Sequence, residues 1–145
     1  MWNFEHTITT QAELTQIWRL YADVSLWPQW DLGVDGVSLN GPFVAGTRGF
    51  LTLKEQNIMP FELTVVEPLR EFSDVSYLTD AGIAIHFTHR LESVEEGTQI
   101  THLVSIIGAN ADALAPALGV GFTADIPETM ERLAALAVSL ESGTR

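Results

Sequence analysis

Six consecutive runs of strand-like sequence between residues 34 and 108 constrain the fold of this chain most strongly. The runs are separated by turn-forming residues, among them Asn40-Gly41-Pro42, Glu67-Pro68 and Asp80-Ala81-Gly82. Short strands that follow one another through such turns usually pair antiparallel. We therefore predict consecutive antiparallel strands near residues 34–40, 47–54, 60–67, 70–78, 82–94 and 98–108.

The segments on either side of these runs predict one more strand and two helical regions. Residues 2–9 alternate apolar and polar side chains, which is typical of a half-buried strand. Thr10 and Glu13 have the spacing of a capping box, and apolar residues follow at helical spacing, so we predict a helix over residues 11–22. Residues 111–140 are rich in alanine and leucine and predict a long C-terminal helix, interrupted near residues 119–127.

The sequence Trp27-Pro28-Gln29-Trp30-Asp31 places two of the four tryptophans around a proline. Proline interrupts a helix because its ring fixes φ and removes a donor, so this stretch predicts a corner between the first helix and the sheet. Two tryptophans at a corner indicate a wall or rim. We expect Trp30 to border a pocket, with Trp27 nearly as good a candidate; the alternative is that both belong to the core.

Composition and charge exclude several classes of partner. A chain of 145 residues is expected to form one domain over residues 1–145. The net charge of -12 argues against nucleic acid and anionic membranes as partners. Cysteine is absent, the first residues do not resemble a secretory signal, and no run is suited to span a membrane, so we expect a cytoplasmic protein without membrane insertion.

Several short motifs together resemble one protein family. They are WPQWD, Asn40-Gly41-Pro42-Phe43, Val66-Glu67-Pro68, Phe87-Thr88-His89 and the stretch GTQITH at residues 97–102. The chain is similar to the polyketide cyclase/dehydrase-like branch of the START and Bet v 1 (SRPBCC) superfamily. The resemblance implies an α+β helix-grip fold: a curved seven-stranded antiparallel sheet wrapped around a long C-terminal helix, with a short helical excursion between strands 1 and 2. It also implies an apolar cavity between the sheet and the final helix.

Strand parity places two histidines on the face that would line this cavity. His89 shares a face with Phe87, and His102 shares one with Ile106. If Glu96-Gly97 form a two-residue turn, the two histidines are diagonal neighbours on adjacent strands. Three roles remain open for them: core histidines with satisfied hydrogen bonds, contacts to a ligand, or acid/base catalysts. The ligand-binding residues that we predict are Trp30, Phe61, Phe72, Phe87, His89, His102, Ile106, Phe122 and Met130.

Two further features have alternative interpretations. In the run from Phe72 to Leu78 a shift of one residue decides which side chains face the cavity. We favour Phe72 inward, which makes Asp74 either an acid of the pocket or a residue near the solvent end. We expect the solvent end, because burying an unpaired carboxylate is costly. Gly119 and Gly121, with Phe122, either form a flexible break that lets the helix move aside for a ligand or allow close packing on the sheet.

The sequence predicts no metal and no cofactor. His86 and His89 are separated by two residues, which on a strand directs them to opposite faces, so they do not form a metal site. The stretch GVGFTA at residues 119–124 matches a dinucleotide-binding pattern but has no βαβ unit around it. No nucleophilic serine motif is present either.

Three classes of function remain after these exclusions. The leading hypothesis is a protein that binds a small hydrophobic ligand, aromatic, polyketide-like or lipid-like, and we expect that ligand to be neutral or weakly acidic. The second is an enzyme similar to polyketide cyclases and dehydratases, in which the cavity histidines transfer protons. The third is a protein-interaction module, which the polar outer sheet faces disfavour. The sequence leaves open whether a reaction is catalysed and which oligomeric state the protein adopts.

Overall fold

A computed structural model describes residues 1–54 and 57–143 of the chain, including the side chains up to residue 140. These described residues form seven strands and four α-helices, with short 3₁₀ turns at Val24–Leu26 and Thr79–Ala81. The strands are β1 (Trp2–Thr10), β2 (Val34–Leu39), β3 (Arg48–Leu53), β4 (Ile58–Glu67), β5 (Glu71–Leu78), β6 (Ile83–Val94) and β7 (Gly97–Ile107). The helices are α1 (Leu14–Ala22), α2 (Trp27–Trp30), α3 (Ala111–Thr123) and α4 (Ile126–Gly143).

All seven strands belong to one antiparallel sheet with the order β1-β7-β6-β5-β4-β3-β2. The predicted α+β helix-grip architecture is therefore confirmed, and the predicted strands agree with the observed ones to within about two residues. Side chains from one face of the sheet and from the helices form the core, with Trp30, Phe72 and Met130 among its fully buried members. The helices cover this inner face because both they and the sheet present one apolar surface.

The first helix and the WPQWD stretch differ from the sequence prediction. Helix α1 begins at Leu14, three residues later than predicted, and the Thr10 hydroxyl accepts a hydrogen bond from the amide of Ala12 (3.2 Å). The N-cap of α1 is Glu13, so Thr10 does not cap this helix as predicted. WPQWD contains a single-turn helix, α2, with Pro28 in its first turn. Proline is tolerated there because the first amides of a helix have no intrahelical acceptor.

The turn between β6 and β7 lies one residue earlier than the sequence indicated. Val94 pairs with Gly97, so Glu95-Glu96 form the turn and His89 lies directly opposite His102. The prediction of a Glu96-Gly97 turn with diagonal histidines was wrong. Gly97 has a φ of 136°, and a Cβ at this position would collide with the carbonyl oxygen of Thr10. The glycine is needed for this close approach of the connection after β1.

The C-terminal helical region is interrupted as predicted, and the break divides it into α3 and α4 at residues 124–125. Pro127 lies in the first turn of α4. Gly119 of α3 packs against Trp2 of β1, since a Cβ there would lie 2.6 Å from the indole ring. Gly121 faces open space instead. Close packing thus accounts for Gly119. Within the described residues no helix is both long and apolar enough to cross a membrane.

Candidate functional site

A cavity of about 280 Å³ lies between the inner face of the sheet and the helices α2, α3 and α4. Its wall is mainly apolar and includes Trp27, Val34, Leu51, Met59 and Phe122. These residues come from α2, β2, β3, β4 and α3, so the sheet and the helices build the site together. We call the residues that border this space the cavity wall.

Both tryptophans of WPQWD border the cavity, and both are almost completely buried. The indole nitrogen of Trp27 donates to the carbonyl oxygen of Tyr21 (2.8 Å), and that of Trp30 donates to the carbonyl oxygen of Leu20 (3.1 Å). These bonds satisfy the last carbonyls of α1 and fix the orientation of both rings. The stretch therefore places rigid aromatic surface at one side of the cavity, and neither tryptophan is core alone.

Three histidines from adjacent strands lie in one row of the sheet. The register pairs His6 of β1 with His102 of β7, and His102 with His89 of β6. The rings of His89 and His102 are 4.6 Å apart, edge to face, and both residues border the cavity. The ring of His89 also stacks on Phe72 at 3.9 Å, and its Nδ1 donates to the carbonyl oxygen of Phe72 (3.3 Å). Because a carbonyl oxygen only accepts, Nε2 is the acceptor of this imidazole.

Both cavity histidines are held in the neutral state. Burial lowers the pKa of His89 to about 4, an effect that the hydrogen bond to Phe72 partly offsets. Burial lowers the pKa of His102 well below its usual range, and the neighbouring His89 and His6 lower it further. The hydroxyl of Tyr21 lies 2.8 Å from Nε2 of His102, and burial raises the pKa of this phenol above its usual value. At neutral pH the row thus offers uncharged hydrogen-bonding groups.

Asp74 is the most unusual group of the wall. The expectation that Asp74 lies near the solvent end is wrong, because its side chain is only 4% exposed and borders the cavity opposite Phe87 on the neighbouring strand. Its Oδ1 is buried without a hydrogen-bond partner. Burial, together with the negative charge of Asp31, raises the pKa of Asp74 to about 8. The carboxyl is therefore mostly protonated at neutral pH, which lowers the cost of its burial.

Two more aspartates border the same cavity, and with Asp74 they form what we call the acidic end. Asp31 follows α2, and its Oδ1 accepts a hydrogen bond from the amide of Gly33 (3.0 Å). Burial raises the pKa of Asp31 to about 6; the bond from Gly33 opposes this shift and the charge of Asp125 adds to it. Asp125 lies exposed between α3 and α4. Three acids from distant parts of the chain thus meet at one cavity.

The structure places five of the nine predicted ligand-binding residues on the wall and four away from it. On the wall are Trp30, Phe87, His89, His102 and Phe122. The buried residues Phe61, Phe72, Ile106 and Met130 pack in the hydrophobic core instead, so the expectation that they border the cavity is corrected. The alternation of residues along a strand predicts which face of the sheet a side chain occupies. It does not tell whether that side chain packs against a neighbour or borders empty space.

The sequence interpretation missed Asp31 and Tyr21 as site residues. Asp31 ends the WPQWD stretch, but its position at the cavity depends on how α2 turns into β2. Tyr21 lies at helical spacing like any core residue, and only the packing of α1 on the sheet brings its hydroxyl to His102. Within residues 1–54 and 57–140, whose side chains the structure describes, no three His, Asp or Glu side chains are placed to hold one metal ion.

Comparison with known proteins identifies the family of this chain. The family described as "Polyketide cyclase / dehydrase and lipid transport" matches residues 1–138, and the chain belongs to it. The resemblance to the SRPBCC superfamily is thereby confirmed. Family and fold are compatible with binding of hydrophobic ligands or with roles like those of polyketide cyclases. No protein with a curated description matches this chain.

Solved structures with low sequence identity share the fold. Ara h 8.0201 is 13% identical with a TM-score of 0.77, over 95% of this chain and 98% of its own. MLL2253 from Mesorhizobium loti is 17% identical with a TM-score of 0.74, over 93% of this chain and 96% of its own. DynU16, a protein of the dynemicin biosynthetic locus, is 19% identical with a TM-score of 0.70, over 97% of this chain and 48% of its own.

Proposed function

We propose that this protein binds a compact, largely apolar small molecule in the cavity between the sheet and the C-terminal helices. The observation that carries the proposal is the cavity itself: about 280 Å³ with an apolar wall and a few polar groups. Small-molecule sites combine these two features, because apolar surface supplies affinity and isolated polar groups fix orientation. The family description, which includes lipid transport, agrees with a binding role.

The size and rigidity of the wall define the class of ligand. A cavity of about 280 Å³ is at the small end of the usual range for ligand sites, which favours a compact molecule over a long lipid chain. Trp27 and Trp30 are held by hydrogen bonds from their indole nitrogens, so aromatic surface is already in place before a ligand enters. Such preorganisation reduces the entropy lost on binding. An aromatic or alicyclic ring with a short substituent fits this description.

A screen of compact hydrophobic compounds tests the proposal. Ligands that enter the cavity should raise the melting temperature by mass action and change the fluorescence of Trp27 and Trp30. A variant with both His89 and His102 changed to alanine should bind less tightly, because it loses the polar contacts of the wall. If no compound in a broad library changes either signal, the binding function fails.

A proton-transfer enzyme is the second candidate, because the cavity holds a neutral acid and a neutral base together. Asp74 is mostly protonated at neutral pH, with a pKa of about 8, while the Nε2 of His89 is a free-base acceptor. Asp74 can donate a proton and Nε2 of His89 can accept one, which is the division of roles that proton transfer on a carbonyl compound requires. The low pKa of His89 makes it a weaker base than a free imidazole, so we expect a slow reaction. The family description includes polyketide cyclase and dehydrase.

Hydrogen exchange into a small aryl ketone tests the enzymatic candidate. Phenylacetone in D₂O should lose its α-protons faster with wild-type protein than in buffer alone, as followed by NMR. The His89→Ala variant should reduce the exchange rate to that of buffer. If wild type and buffer give the same rate while ligands still bind, the protein is a binder and not an enzyme of this kind.

A further inference from the structure

The acidic end gives the cavity a charge pattern that a purely apolar ligand would not use. Asp31 directly follows α2, Asp74 belongs to β5, and Asp125 lies at the junction of α3 and α4; all three border the cavity. The ion pairs of the described residues lie elsewhere, at Met1–Asp112, Arg48–Glu62 and Arg90–Glu71. Among the described wall residues the basic side chain is Lys54, which is exposed. None of the three carboxyl groups forms an ion pair with a basic side chain of the described residues.

Asp74 shows that this pattern is more than an accumulation of surface acids. Its side chain is only 4% exposed, it borders the cavity, and its Oδ1 has no hydrogen-bond partner. A buried polar atom without a partner costs free energy in any protein, and native structures rarely keep one without a reason. Because the carboxyl group of Asp74 borders the cavity, a donor that arrives with a ligand can bond to this group and offset the cost of its burial.

The chemistry of the acidic end favours a positively charged donor. Asp31 and Asp74 repel each other when both are ionised, and a cation between them would relieve this repulsion. The carboxyl groups do not converge on one point, since no three acidic or histidine side chains among the described residues are placed to hold a metal. An organic cation is larger and does not need such convergence. The rings of Trp27 and Trp30 on the same wall offer apolar surface to the rest of such a ligand.

We propose that the cavity binds a compact hydrophobic amine, whose ammonium group is held at the acidic end by Asp31 and Asp74 while its apolar part packs against the tryptophans. This inference rests on the proposed binding function and names its ligand class. It replaces the expectation of a neutral or weakly acidic ligand, which was drawn from the net charge and the two cavity histidines without the aspartates that border the cavity.

Binding of an amine is coupled to release of a proton. In the free protein Asp74 carries a proton at neutral pH, and a bound ammonium group favours its ionised form. The amine should therefore bind more tightly as pH rises, by about tenfold per pH unit up to the pKa of Asp74, and then level off. The titratable groups that the elements around Asp74 direct to the cavity are Asp31, Asp125, His89, His102 and Lys54, with Tyr21 behind His102.

Titration calorimetry with three probes of equal size tests the proposal. The probes are 2-phenylethylamine, 2-phenylethanol and phenylacetate, which are cationic, neutral and anionic at neutral pH. Measurements at about pH 6, 7 and 8, in two buffers of different ionisation enthalpy, give affinity and proton release together. We expect the amine to bind most tightly at pH 8, to release about one proton at pH 7, and to weaken toward pH 6.

Two asparagine variants separate the acidic end from general charge effects. Asp74→Asn should lower the affinity for the amine about tenfold or more at pH 8 and abolish proton release, while 2-phenylethanol binds as before. Asp35→Asn removes an exposed acid of β2 that is not on the wall, so it should leave both affinities unchanged.

Four outcomes decide between the two proposals. Tight, pH-dependent amine binding that Asp74→Asn weakens and Asp35→Asn does not supports the amine inference. If the alcohol binds as tightly as the amine at every pH, the inference is overturned and the binding function stands. Equal effects of the two variants on the amine would overturn it as well. If none of the three probes binds, the amine inference fails and the binding function loses support for compact aryl ligands.

Discussion

Replacing Asp74 by asparagine should remove a loss of stability that wild-type protein shows as pH rises. Burial and the charge of Asp31 raise the pKa of Asp74 to about 8, whereas an aspartate in an unfolded chain has a pKa of about 3.9. Between these values the folded protein keeps a proton that the unfolded chain has released. The free energy of unfolding therefore falls with rising pH throughout this range.

In the window from about pH 6.5 to 8, the difference between wild type and Asp74→Asn isolates the contribution of Asp74. His89 and His102 act with opposite sign in both proteins: their pKa values are lowered in the folded state, so the unfolded chain binds the extra protons and stability rises with pH up to about pH 7. Asp31, with a pKa of about 6, is mostly ionised above the window's lower limit. Integrating the titration of Asp74 over the window gives a loss of about 1.5 kcal/mol.

Urea unfolding followed by tryptophan fluorescence measures this loss. Relative to Asp74→Asn, wild type and the control Asp35→Asn should both lose about 1.5 kcal/mol of unfolding free energy between pH 6.5 and 8. Asp74→Asn itself should gain about 0.5–1 kcal/mol over the same window, because the two histidines then act without Asp74. Parallel profiles for wild type and Asp74→Asn would show that this carboxyl is ionised like a surface acid, and the reasoning about its burial would be refuted.

Two further predictions concern packing around the site. Gly119→Ala should destabilise the protein by about 1–3 kcal/mol, because the new Cβ would lie 2.6 Å from the ring of Trp2. Gly121→Ala meets open space and should leave stability unchanged or raise it by up to about 1 kcal/mol; equal effects of the two in urea unfolding would contradict the packing account. Tyr21→Phe should cost about 1–3 kcal/mol, since it removes the buried hydroxyl bonded to His102. A loss below about 0.5 kcal/mol for Tyr21→Phe would mean that this hydrogen bond contributes little.

The limits of the strands and the division of the C-terminal helix could be predicted because they depend on local patterns. Alternation along a strand and turn residues between strands are visible in the sequence, so the observed strands begin and end within about two residues of the predicted limits. The turn between β6 and β7 was misplaced for a reason that is not local. Residue 97 must be glycine because its backbone lies against the carbonyl of Thr10, and this contact joins distant parts of the chain. The glycine therefore does not mark a turn position.

The site was less predictable than the fold, and Asp74 shows why. Parity correctly placed His89 and His102 on the inner face, because the period of a strand alone decides this. The expectation for Asp74 applied the general cost of burying a charge. In the folded protein, burial and the charge of Asp31 raise the pKa of the carboxyl, so this group is mostly neutral and no unpaired charge is buried. Whether a carboxyl is buried in its protonated form depends on its three-dimensional surroundings, which the sequence of one strand does not contain.

The central claim, that the cavity is a ligand site, requires variants that fill it. Val34 borders the cavity from β2, and a phenylalanine at this position would occupy part of its volume. Val120 of α3 is 62% exposed and is not on the wall, so Val120→Phe is the same substitution on the surface. Both variants must first show cooperative unfolding near the wild-type melting temperature.

Calorimetric titration of wild type, Val34→Phe and Val120→Phe with the most stabilising compound of the screen is the most direct test. We predict one molecule bound per chain for wild type and Val120→Phe with equal affinity, and a loss of affinity of at least about tenfold for Val34→Phe, since the ligand and the new ring compete for the same space. Equal affinity for all three proteins would place the ligand outside the cavity and contradict the proposed function.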